Sequence, residues 1–87
     1  MSYRLIIKPS AERELSDLPR AIGRRVLDRL ADLQDTPRPV GAVKLSGTKH
    51  THRVRIGNYR IVYEVNDQER TVFVTIIAHR RDVYRGL

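Results

Sequence analysis

Two short runs of alternating side chains, RVRI at residues 53–56 and YRIVYEV at 59–65, are separated by Gly57 and Asn58 alone. That spacing demands a β-hairpin. A two-residue turn sets the pairing outward from itself, with Ile56 opposite Tyr59, Arg55 opposite Arg60 and Val54 opposite Ile61. Side chains alternate across a strand, so Val54, Ile56, Tyr59, Ile61, Tyr63 and Val65 share the natural core face, while Arg53, Arg55, Arg60, Val62 and Glu64 share the other. Arg55 and Arg60 then face each other directly. Like charges in that register cost a sheet roughly 0.2–1 kcal/mol, so a domain that keeps them is expected to bring an anion between them.

The rest of the chain supplies the layers around this hairpin. At 87 residues it holds one core, and residues 1–87 are expected to form a single domain. YRLIIK at 3–8 reads as a strand stopped by Pro9. Ser10 is a plausible N-cap for a helix over 11–18, with Ala11, Leu15 and Leu18 at helical spacing and Pro19 at its end. Over 20–34, Ile22, Val26, Leu30 and Leu33 form an apolar stripe widened by Leu27, and the arginines on the other faces read as a solvated surface with pairs such as Arg24 with Asp28. DTPRPVG at 35–41 cannot continue a helix and marks the crossing to the sheet. A short strand can begin at 43–45 before the loop SGTKHT, and strands over 52–56, 59–65 and 71–78 complete an antiparallel meander. The expected fold is α+β in the order β-α-α-β-β-β, with two N-terminal helices packed on one face of a curled four-stranded antiparallel sheet.

Composition narrows the function. The formal charge is +7, carried by 14 arginines and three lysines. Residues 1–43 hold eight basic and six acidic side chains, whereas residues 44–87 hold nine and four, so the excess sits with the hairpin. Arginine grips phosphate bidentately and stacks on bases, which suits nucleic acid. The absence of cysteine excludes a thiolate nucleophile, a thiolate metal site and a disulfide framework, and fits a reducing compartment. His50 and His52 alternate like a metal-binding pair but lack a carboxylate or cysteine partner at ligand spacing, and read as surface histidines. No stretch is long enough to span a bilayer and the first apolar run is too short for a signal peptide, so a soluble cytoplasmic protein is expected.

The residues HRVRIGNYRIVYEV, an acidic turn, and then TVFVTIIAHRRDVYR resemble the C-terminal half of the RelE toxins of the RelE/ParE toxin–antitoxin superfamily. AERELSDLP, the DTPRP turn and KLSG extend the resemblance over the chain. It implies a metal-independent ribonuclease, needing no cofactor, that cleaves messenger RNA in the ribosomal A site through attack of a 2′-hydroxyl on the adjacent phosphate. The catalytic positions transfer to Arg53, Arg55, Arg60, Arg80 and Tyr84, with His79 just before Arg80. Lys44, Lys49, His52, Arg81 and Arg85 are expected to help hold RNA. Some relatives carry lysine on the second strand, able to act as a base. This chain has arginine there, which cannot. Proton transfer is therefore assigned to His79 ahead of Glu64 and Tyr84. The resemblance also implies a heteromeric complex with an acidic, RelB-like antitoxin, and ribosome and mRNA as targets. A ParE-like gyrase inhibitor and a non-catalytic RNA binder are the alternatives.

Overall fold

The computed structural model describes residues 2–79. Strand β1 (Arg4–Ile7) leads into helices α1 (Pro9–Asp17) and α2 (Arg20–Asp35), and strands β2 (Val43–Lys44), β3 (Thr51–Ile56), β4 (Tyr59–Asn66) and β5 (Thr71–His79) follow. They form a single sheet in the order β1-β5-β4-β3-β2. The α+β class and the two-helix layer are as expected. The sheet differs in having five strands, because residues 43 and 44 pair with Arg53 and His52, and in being mixed, because β1 lies parallel to β5. A four-residue strand carries no mark of pairing direction. The two helices that follow β1 decide where the chain returns and hence which edge β1 occupies.

Proline lacks an N–H and has φ preset for a helix, so α1 starts at Pro9 itself, with Lys8 at the N-cap and no capping side chain; Ser10 lies inside the first turn. Along α2, Val26, Leu30 and Leu33 are buried, but Leu27 is 54% exposed and does not widen the core stripe. No ion pair joins Arg24 to Asp28. The helices bring Ala11, Val26, Leu30 and Leu33 onto Val54, Ile61, Tyr63, Val72, Val74 and Ile77 of the sheet. Each large apolar side chain removed from water there contributes on the order of 1.5–3 kcal/mol. Tyr63 keeps its hydroxyl satisfied by donating to the Pro37 carbonyl at 2.6 Å, and burial pushes its pKa up to about 12.

The crossing between layers is tied down at one end of the sheet. Arg38 donates to both Asp67 carboxylate oxygens at 3.1 and 2.9 Å, and the Tyr3 hydroxyl donates to the same group at 2.7 Å. Gln34 and Tyr3 exchange hydrogen bonds of 2.7 and 3.0 Å, while the Arg70 guanidinium sits 4.9 Å above the Tyr3 ring. The cluster joins β1, the end of α2, the crossing segment and the β4–β5 turn. These hydrogen bonds hold the Asp67 carboxyl down at about 2, against an ordinary 3.8.

The hairpin turn has Gly57 at φ 56°, and Asn58 is not in the positive-φ region, the sign pattern of a type II′ turn with glycine first. Gly57→Ala has room for its methyl group, 3.9 Å from Arg25 Nη1, so its cost is the backbone conformation, roughly 1–2 kcal/mol, measurable as a lower urea midpoint at unchanged slope. Asp67→Asn is expected to lower stability at neutral pH. Because the folded carboxyl titrates below its unfolded value, that contribution is present above pH 4 and is lost as pH falls toward 2, so wild type and variant converge in acid unfolding curves.

Candidate nucleic-acid interface

β3 and β4 pair as the turn requires, with Arg55 opposite Arg60, Val54 opposite Ile61 and Arg53 opposite Val62. Arg53, Arg55 and Arg60 therefore stand on the sheet face away from the helices. Directly opposed residues hold their Cβ atoms about 4.5–5.5 Å apart. The face is less open at its centre than expected: Arg60 is 8% exposed and Val62 is buried. β4 is an interior strand, and Val62 lies between Arg53 and Ile76 while Arg60 lies between Arg55 and Ala78. The arginine stems can shield this part of the sheet. Arg53 Nε is buried and has no acceptor among the described residues. A guanidinium donor removed from water without an acceptor costs more than the roughly 1–3 kcal/mol of a neutral group, and a phosphate oxygen would relieve it.

His79 does not join this cluster. It pairs with Tyr59 and meets the Tyr59 ring edge-on at 5.4 Å, on the face that carries Ile56 and Ile61. The cause is a register shift between Val62 and Tyr63: Val62 pairs with Ile76 but Tyr63 with Val74, so β5 accommodates Thr75 as an extra residue, its hydroxyl donating to the Val62 carbonyl at 3.2 Å. Strict alternation from Val72 and Val74 would place His79 beside the arginines. The bulge inverts everything after it, so Ile77 is buried and His79 turns to the helix side.

His52 is likewise buried rather than on the surface, 7% exposed, its ring stacked 5.8 Å from that of Tyr63 and Nδ1 3.2 Å from the His50 carbonyl. Lys44 pairs with it and so lies off the arginine face, while Lys49 is exposed in the β2–β3 loop. Arg80, Arg81, Tyr84 and Arg85 fall outside the described residues. The sequence reading passed over Arg25 and Arg29 of α2, which line a cleft with Arg55 at the hairpin tip. Their spacing of four places them on one helix face, but only the fold shows what that face meets. No helix among the described residues is long and apolar enough to cross a membrane.

A small α+β domain that crowds arginines onto an exposed sheet face is of the class built to hold a polyanion. A family model described as "ParE toxin of type II toxin-antitoxin system, parDE" matches residues 5–84. The toxin RelG of Mycobacterium tuberculosis is 33% identical over 86 residues, covering 98% of this chain and 99% of that protein. Among solved structures, RelE in the RelE–RelB complex of Pyrococcus horikoshii OT3 superposes with a TM-score of 0.82 at 32% identity, over 92% of this chain and 97% of that one. The RelBE2 toxin–antitoxin complex of M. tuberculosis gives 0.80 at 28% identity, over 92% and 100%. The chain therefore belongs to this family of type II toxin–antitoxin toxins, as a RelE-like member.

Burial lowers the pKa of His52 below its ordinary 6.5, and the charges of Arg38 and Lys44 add to the effect. Below pH 6.5 the unfolded chain takes up that proton before the folded one does, so stability is expected to fall as pH drops through that value. In His52→Phe, this part of the pH dependence disappears from denaturation midpoints measured between pH 7 and 5.

Proposed function

We propose that this toxin is a metal-independent endoribonuclease that cuts messenger RNA in the ribosomal A site and is restrained in the cytoplasm by an acidic, RelB-like antitoxin. The observation that carries the reading is the direct opposition of Arg55 and Arg60 beside the unsatisfied Arg53 Nε. Three guanidinium groups held on adjacent strands suit a phosphate whose non-bridging oxygens gain charge as the 2′-oxygen bonds to phosphorus and the bond to the 5′-oxygen breaks. The reaction needs in-line geometry above all. The clamp supplies it by holding the phosphate on a rigid sheet.

Proton transfer is not assigned to His79, which faces the helices. Glu64 is on the arginine face but four residues along β4 from Arg60, about 13 Å at roughly 3.3 Å per residue, well beyond the hydrogen-bond reach of about 3 Å that a general base needs. Arg80 and Tyr84, carried over from the resemblance, complete the proposed site as a further phosphate contact and a stacking or proton-donating group. The relatives solved as RelE–RelB and RelBE2 complexes support an antitoxin partner here. The family description names ParE, and a gyrase inhibitor is the second reading.

Cell-free translation with purified protein, read by primer extension, separates them. The expected result is cuts at codons held in the A site, absent without ribosomes, and slowed about 10²–10³-fold by Arg60→Ala, the usual effect of losing one transition-state donor, with antitoxin binding retained. Intact message together with loss of gyrase supercoiling would replace the ribonuclease reading by the ParE-like one.

A further inference from the structure

We propose that Arg25 and Arg29 of α2, together with Arg55, form a second phosphate site that takes the RNA backbone round the edge of β3 from the sheet face onto the helical layer. This rests on the RNA reading of the arginine face. The two α2 residues are one helical turn apart, and the Arg25 guanidinium reaches the hairpin tip, where its Nη1 lies 3.9 Å from the position a Gly57 methyl would take. Between α2 and the tip is a cleft of about 310 Å³ lined by Arg25, Asp28, Arg29, Asp32, Arg55 and Gly57. One water in the liquid occupies about 30 Å³, so the cleft admits a phosphate group.

Arg29 Nε is buried in the structure with no acceptor among the described residues. Asp28 and Asp32 are the obvious acceptors, yet neither forms an ion pair with Arg25 or Arg29. β2 pairs with β3 only at His52 and Arg53, so the outer edge of β3 beside Arg55 is not covered by β2. Arg55 belongs to both places: it opposes Arg60 on the sheet and lines the cleft. The two anion positions are thus adjacent along one strand of RNA. With three guanidinium groups against two carboxylates, the cleft holds a lone phosphate weakly. A backbone already clamped on the sheet presents its next phosphate at high effective concentration, and that is the occupant the geometry favours over a free ion.

The test uses the full chain and a 12-nucleotide RNA carrying 2′-deoxyribose at the cleavage position, with binding followed across a salt series. In Arg25→Gln/Arg29→Gln, the slope of log K against log salt is expected to shrink by roughly 1.4, at about 0.7 per phosphate lost on a single strand. Arg25→Lys/Arg29→Lys is expected to keep the slope, which shows that charge and not folding is responsible. A trinucleotide that reaches only the sheet face is expected to bind wild type and the double Gln variant alike. If the double Gln variant leaves the 12-mer slope unchanged while Arg60→Gln still weakens binding, the second site is wrong and the RNA reading stands. If Arg60→Gln also has no effect, the RNA reading itself fails. Weaker antitoxin binding by the double Gln variant, with unchanged RNA binding, would make the cleft a protein contact and overturn the proposal.

Discussion

Strand β4 is the element on which the molecule turns, because it is paired along both edges and buried on both faces. Ile61, Val62 and Tyr63 are all buried in succession, a pattern that only an interior strand sustains. Its ladder with β3 is regular and places the arginines. Its ladder with β5 is interrupted once, at Val62 and Tyr63, and that irregularity allows both Val74 and Ile77 to reach the core. The hydrophobic core and the composition of the arginine face are therefore one decision. A sheet residue leaves one face only by arriving on the other.

The two faces have opposite chemistry. On the helix side, titratable groups are kept neutral or tied: His52 is stacked on Tyr63, Tyr63 donates to a backbone carbonyl, and His79 meets the edge of Tyr59. On the other side, positive charges are brought together. The arrangement is locally unfavourable and is tolerated because the surrounding hydrophobic packing outweighs it. Such concentrated local cost is characteristic of binding and catalytic surfaces. Holding the arginines on paired strands also limits the rearrangement needed when a phosphate arrives.

Charge is distributed along the molecule as well as across it. At the β4–β5 turn, Asp67 gathers Arg38 and Tyr3, with Arg70 stacked above, so two of the arginines there are spent on joining layers. Arg25, Arg29, Arg53 and Arg55 make no such ion pair. A net charge of +7 thus understates the contrast between the clamped end and the hairpin end. Long-range attraction of a polyanion would be directed toward the hairpin end.

The hairpin register, the Arg55–Arg60 opposition, the α2 core stripe at Val26, Leu30 and Leu33, and the α+β class were legible in the sequence, because each follows from local periodicity and a two-residue turn. The resemblance of HRVRIGNYRIVYEV to RelE toxins was legible for the same reason, since the motif lies within contiguous elements. The parallel seat of β1, the short β2, the burial of His52 and the clamp on Asp67 depend on residues far apart in the chain, and periodicity carries no information about them. His79 shows the limit most clearly. Its residue type and its place before Arg80 were plain in the sequence, yet its face was decided by one extra residue in β5, and a period of two cannot signal where it will be broken.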